Sequence, residues 1–116
     1  MVNSPIQISA FELSEWLQSE EDKPIVIDVR EEQELDIAKF PLDNINIPIS
    51  KVNLIYVKSN LDDFKNRKFV ILCHMGIRSY HFGQWLLENN LVKEVWNLDQ
   101  GIDGWSKDID AKVPRY

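Results

Sequence analysis

The stretch FVILCHMGIRSYHFGQWLL, residues 69–87, changes character twice. It begins as an apolar, partly β-branched run ending at Leu72, the pattern of a strand covered on both faces. It passes through a short loop that opens with Cys73, the only cysteine of the chain. From Ser79 it reads as a helix, with Tyr80, Gln84, Leu87 and Leu91 recurring at intervals of three or four. Strand, loop and helix in that order is the repeating unit of an α/β domain.

The same alternation extends outward. PIQIS, residues 5–9, suits a short opening strand, and SAFE, residues 9–12, has the spacing of a capping box before a helix. Leu13, Trp16 and Leu17 share one face of that helix and are expected in the core. PIVIDV (24–29) reads as a second buried strand and REEQELDIAKF (30–40) as a helix with Leu35 and Ala38 on one side. Arg30 and Glu34, four apart, are placed to pair across a turn. NINIPIS (44–50) alternates with period two and reads as a strand closed by Pro48, Ser50 is positioned to cap the helix KVNLIYVK, and KEVWNL (93–98) gives a further strand. QGIDGWSK (100–107) supplies a turn and a short helix carrying Trp105. The expected fold is a three-layer α/β domain spanning residues 1–116, with a central, mainly parallel five-stranded sheet flanked by helices.

Composition narrows the function. One cysteine excludes an internal disulfide framework, a multi-cysteine metal site and a C-x-x-C redox pair. The first residues lack the basic start and apolar core of a secretory signal, and no apolar run approaches the length of a membrane span. A cytoplasmic location with no membrane attachment is therefore expected. Lys and Arg number 13 against 19 Asp and Glu, a net charge of −6, which argues against nucleic acid as a partner. Between Asp63 and Glu88 no carboxylate occurs, whereas Lys65, Arg67, Lys68, His74, Arg78 and His81 all do. Such a window around the single thiol favours an anionic substrate or a thiolate; a solvated basic face accounts for it equally well.

In a parallel sheet, ligands bind beyond the carboxyl ends of the strands, where loops lead into helices. Cys73 occupies such a place. Gly76 lets the loop curl so that several N–H groups point inward, and a helix follows, an arrangement that forms a concave anion site. A cysteine sulfur in that concavity, with Arg78 near it, meets the needs of a nucleophilic thiolate. Inert packing is the usual fate of a lone buried cysteine, so the weight rests on the surrounding residues.

Those residues, CHMGIRS in the form C-x-x-G-x-R-S, resemble the catalytic loop of the single-domain rhodanese-like sulfurtransferases. IDVREEQE (27–34) is similar to that family's D-V-R-E-x-x-E element, INIP (45–48) to the strand after it, and VWNLDQGIDGW (95–105) to its closing V-x-N-L-x-G-G-x-x-x-W pattern. The four matches stand in the family's order across nearly the whole chain. Two segments depart: AKFPLDN (38–44) lacks the family's glycines and histidine, and Gln100 stands where a glycine is usual. Both are turn positions, and a left-handed backbone at Gln100 is expected if the last turn is kept.

The resemblance implies that Cys73 takes up a sulfane sulfur as a persulfide from thiosulfate or a similar donor and passes it to a thiophilic acceptor, cyanide or a thiol. It implies no cofactor and no metal. Substrate contacts fall to the loop residues His74, Met75, Gly76, Ile77, Arg78 and Ser79, with Arg78 on the sulfonate of the donor and His74 facing solvent. Asp28, Arg30 and Trp105 are implied to be structural. Phosphatases of related fold place five residues between cysteine and arginine to ring a phosphate; here four intervene, a cradle suited to one sulfur atom. A persulfide carrier acting between proteins, or a non-catalytic binding module for a protein partner, are the other readings.

Overall fold

The computed structural model describes residues 3–116, so Met1 and Val2, the start of the stretch read for a leader, lie outside the described residues. The apolar runs become strands β1 (Ile6–Ile8), β2 (Ile25–Asp28), β3 (Ile45–Asn46), β4 (Phe69–Leu72) and β5 (Trp96–Leu98). Between and after them stand helices α1 (Ala10–Gln18), α2 (Glu32–Ile37), α3 (Leu54–Asp62), α4 (Ile77–Glu88) and α5 (Gly101–Asp108). The five strands form one sheet in the order β1-β5-β4-β2-β3, and every neighbouring pair is parallel. Crossover helices on both faces are what allow parallel neighbours.

The most apolar run of the sequence occupies the centre of the sheet. Along β4 the side chains alternate between two cores. Val70 and Leu72 join Leu13, Val26, Leu98, Ile102 and Trp105 on one face. Phe69, Ile71 and then Cys73 join Ile27, Val57, Leu61, Phe82 and Leu86 on the other. Cys73 thus continues the strand's alternation one step past its end. Asp28 lies in register with Leu72, and the Val29 N–H donates to the Leu72 carbonyl at 3.0 Å. The turn after β2 is thereby brought level with the loop after β4, which sets the position of the site.

Local signals explain the helix starts, with some corrections. Ser9 caps α1 reciprocally: the Glu12 N–H donates to Ser9 Oγ at 3.1 Å and the Ser9 N–H to Glu12 Oε1 at 3.0 Å. The cap of α3 is Asn53, whose Oδ1 accepts from the Tyr56 N–H at 2.9 Å, not Ser50. Ser50 lies in a 3-10 turn (Ile49–Lys51) and binds the Glu31 carboxylate with its N–H and hydroxyl. Pro48 caps that turn and closes β3 as expected, the strand's ladder ending at Asn46. Helix α4 starts two residues before Ser79, and its buried face is Ser79, Phe82, Gly83 and Leu86. Tyr80, Gln84 and Leu87 are only half-buried, because the helix is rotated to bring Gly83 against Pro5, where an added Cβ would meet the proline ring at 2.9 Å. Among the described residues, no helix is long and apolar enough to cross a membrane.

Candidate active site

Three donors converge on the Cys73 sulfur. The Gly76 N–H lies at 3.1 Å, the Ser79 N–H at 3.3 Å and the Ser79 hydroxyl at 3.2 Å. Cys73 is 1% exposed and Ser79 is fully buried, so these contacts operate away from water, where aligned dipoles act on a charge with little screening. The loop reaches this shape because Gly76 takes the left-handed conformation, φ 94°, immediately before α4. That inward turn of N–H groups requires the carbonyls to face outward, and three of them find partners on β5 and α5. The Cys73 and His74 carbonyls accept from the Ile102 and Asp103 N–H groups at the start of α5, at 2.9 and 3.0 Å. The Gly76 carbonyl accepts from the Asn97 side-chain amide at 3.0 Å. Helix α5 and β5 therefore hold the back of the loop while its front faces the sulfur.

Of the residues expected to line the site, Gly76 and Ser79 contact Sγ directly. Met75 and Ile77 are exposed, at 58% and 69%, and form the outer surface of the loop. His74 is not a free, solvent-facing imidazole: its ring is half-buried and stacks on Tyr116, with centroids 3.9 Å apart and planes 6° from parallel. Trp105 is buried in the core against Phe40.

Arg78 is held in a bidentate pair by Glu34, Nη1 to Oε2 at 2.8 Å and Nη2 to Oε1 at 2.7 Å. The predicted Arg30–Glu34 pair is therefore not formed. Arg30 turns back to Asp28 instead, with Nε at 3.0 and 3.1 Å from the two carboxylate oxygens and Nη2 at 2.7 Å. Both residues are fully buried; their pairing locks the turn after β2. Glu34 is aimed at Arg78 by the first turn of α2, where it also accepts from the Glu31 N–H at 2.9 Å. Its hydrogen-bonded contact with Arg78 holds its carboxyl down at about 2. The acid-free window of the sequence is thus not an acid-free region of space. Lys65, Arg67 and Lys68 precede β4 and sit at the opposite end of the strand from Cys73; of the window's basic residues, His74 and Arg78 lie at the Cys73 end.

A pH dependence follows. Glu34 is depressed below its unfolded value of about 4.3, so its pairing stabilises the fold above that pH and is lost as pH falls towards about 2. With a side chain 19% exposed opposite an arginine 37% exposed, the contribution is about 1–2 kcal/mol. Urea unfolding of the wild type and Glu34→Gln is expected to differ by that amount at pH 6, with the difference shrinking below the unfolded value and vanishing only as pH falls to about 2.

Sequence reasoning did not single out Asn97, Gly101 or Tyr116 as site residues. The first two lie inside the 95–105 motif, where their types were already a signal. Tyr116 had none, since its contacts are to residues far away in the chain.

The family model described as Rhodanese-like domain matches residues 9–108. The adenylyltransferase and sulfurtransferase UBA4 of Debaryomyces hansenii is 35% identical over 118 residues, covering 96% of this chain and 26% of that protein. The tRNA uridine(34) hydroxylase of Staphylococcus carnosus is 33% identical over 94 residues, 80% of this chain and 29% of that protein. The chain thus spans between a quarter and a third of these curated relatives. Among solved structures, a rhodanese-like domain protein from Staphylococcus aureus superposes with a TM-score of 0.68 at 27% identity, covering 96% of this chain and 98% of that one.

Proposed function

Because the chain belongs to the rhodanese-like domain family, we propose that it is a sulfurtransferase that carries a sulfane sulfur as a persulfide on Cys73. The observation that carries this reading is the convergence of two N–H groups and a hydroxyl on the buried sulfur. Such donors are worth most where negative charge must be held, on the thiolate before transfer and on the persulfide after it.

In the loading step, the Cys73 thiolate attacks the outer sulfur of the donor. With thiosulfate, the new S–S bond forms from the thiolate's electron pair, and the donor S–S bond breaks with its pair leaving on sulfite. In the unloading step, cyanide or a thiolate attacks the outer sulfur of the persulfide and returns Cys73 as thiolate. Gly76 and Ser79 hold the sulfur in both states. The N–H groups of Arg78 not taken by Glu34 orient an anionic donor, and His74, Met75 and Ile77 line its approach. Asp28, Arg30 and Trp105 support the loop without touching substrate. The name of the UBA4 relative includes sulfurtransferase, which favours the same reading.

A second reading, a carrier exchanging sulfur between proteins, is favoured by the exposed apolar side chains of Met75 and Ile77 beside the thiol, a surface suited to a docked macromolecule. The deciding experiment is intact mass after incubation with excess thiosulfate and, separately, with an organic hydropersulfide. One added sulfur, removed by cyanide, is expected. No gain from either donor would leave the fold as a binding module.

A further inference from the structure

Residues 109–116 do not trail away from the domain. Val113 is buried, and its carbonyl accepts from the Ser106 hydroxyl. Arg115 forms a bidentate pair with Asp103 in the first turn of α5, Nε to Oδ1 at 2.9 Å and Nη2 to Oδ2 at 3.0 Å. These two anchors deliver Tyr116 onto the active loop. Its ring stacks on His74, and its hydroxyl sits between two charged groups. It accepts from Arg30 Nη1 at 3.1 Å and donates to Glu34 Oε1 at 2.9 Å. Burial pushes the Tyr116 phenol up from its ordinary value, so it stays protonated at neutral pH and keeps its donor.

Tyr116 thereby closes a continuous polar chain, Asp28–Arg30–Tyr116–Glu34–Arg78, that joins the locked turn after β2 to the guanidinium of the catalytic loop. The oxygen that Tyr116 holds, Glu34 Oε1, is the one paired with Arg78 Nη2. With Cys73 only 1% exposed, the groups around its approach decide which donor delivers sulfur. An arginine whose charge is offset by a fixed carboxylate attracts a small dianion far less than a free one does. Thiosulfate is such a dianion. A hydropersulfide presents its outer sulfur without a second negative charge at that end.

We infer that Tyr116 is a specificity-determining residue of the donor site: by bridging Arg30 and Glu34 it holds the Glu34 carboxylate on Arg78, and so selects hydropersulfide donors over thiosulfate. The inference rests on Cys73 being the sulfur acceptor. In the favoured step, the Cys73 thiolate attacks the outer sulfur of R–S–SH, the donor S–S bond breaks, and R–S⁻ leaves with the electron pair. Cys73 is left as the hydropersulfide, with the proton retained on the transferred sulfur.

The test measures Cys73 loading rates by time-resolved intact mass, with thiosulfate and with freshly generated cysteine hydropersulfide, in wild type, Tyr116→Phe and Glu34→Gln. The ratio of thiosulfate to hydropersulfide loading is expected to rise about tenfold in Glu34→Gln and about threefold or more in Tyr116→Phe. The thiosulfate rate of Glu34→Gln is also expected to become more sensitive to salt, as a freed guanidinium requires. Because the ratio is internal to each variant, a general loss of stability does not move it. A ratio that rises in Glu34→Gln but not in Tyr116→Phe removes Tyr116 from donor selection, and a ratio unchanged in both overturns the whole account. Wild type that loads from neither donor would overturn the persulfide reading and this inference with it.

Discussion

Cys73→Ser is expected to take up no sulfur from any donor and to lose sulfurtransferase activity by at least about a thousandfold. The substitution keeps a small hydrogen-bonding side chain, so a neutral role in packing would tolerate it. Chemistry does not. A serine hydroxyl is not ionised at neutral pH and is a poor nucleophile toward sulfane sulfur. The cradle is also sized for the larger atom: its donors stand 3.1–3.3 Å from Sγ. An oxygen on the shorter C–O bond is drawn back from all three. The fold is expected to persist, since one sulfur at the end of a strand contributes little beside the aliphatic cluster it borders. Far-UV circular dichroism and a thermal midpoint within several degrees of wild type would show this. A Cys73→Ser protein that still transferred sulfur would mean that the three donors serve only to bury a thiol.

The fold was legible because its signals are local. Apolar runs marked the central strands β2 and β4, alternation marked β3, and the Ser9–Glu12 box marked a helix start that the structure keeps to the residue. The site was legible in part for the same reason: Cys73, Gly76, Arg78 and Ser79 lie within one loop and its helix. What could not be read is what joins the site to the rest of the chain. Glu34 meets Arg78 across 44 residues and Tyr116 across 82, and neither contact leaves a period or a spacing. Reasoning from i, i+4 proximity therefore paired Glu34 with Arg30, whereas a buried guanidinium demands the nearest full carboxylate, and Asp28 is two residues away in a tight turn. The basic window misled similarly, since a strand separates its two halves by carrying Lys68 and Cys73 to opposite ends.

Gly101→Ala is expected to destabilise the protein by roughly 3–5 kcal/mol and to abolish sulfur loading in whatever folded fraction remains. The closing family pattern carries two adjacent glycines, and here the first is Gln100. The structure separates their roles. Gln100 adopts φ 65°, so the left-handed turn is kept without a glycine, and its side chain lies over Gly104, which has no Cβ to meet it. A single non-glycine residue in that region costs about 1–3 kcal/mol and is tolerated where the surroundings over-determine it. Gly101 has φ 58° and a second constraint. A Cβ there would lie 2.4 Å from the Cys73 carbonyl oxygen and 2.5 Å from that of His74. Both are backbone atoms that cannot rotate aside. They are also the carbonyls that α5 holds through Ile102 and Asp103, so relieving the clash pushes the loop forward and turns its N–H groups off the sulfur. Gln100→Gly supplies the control. It relaxes the turn without touching the loop carbonyls, and is expected to change unfolding free energy by less than about 1 kcal/mol. Chemical denaturation of both variants, with intact-mass loading at a denaturant-free endpoint, distinguishes the two positions. Equal effects at 100 and 101 would mean that turn conformation alone, not the approach of α5 to the loop, sets the shape of the cradle.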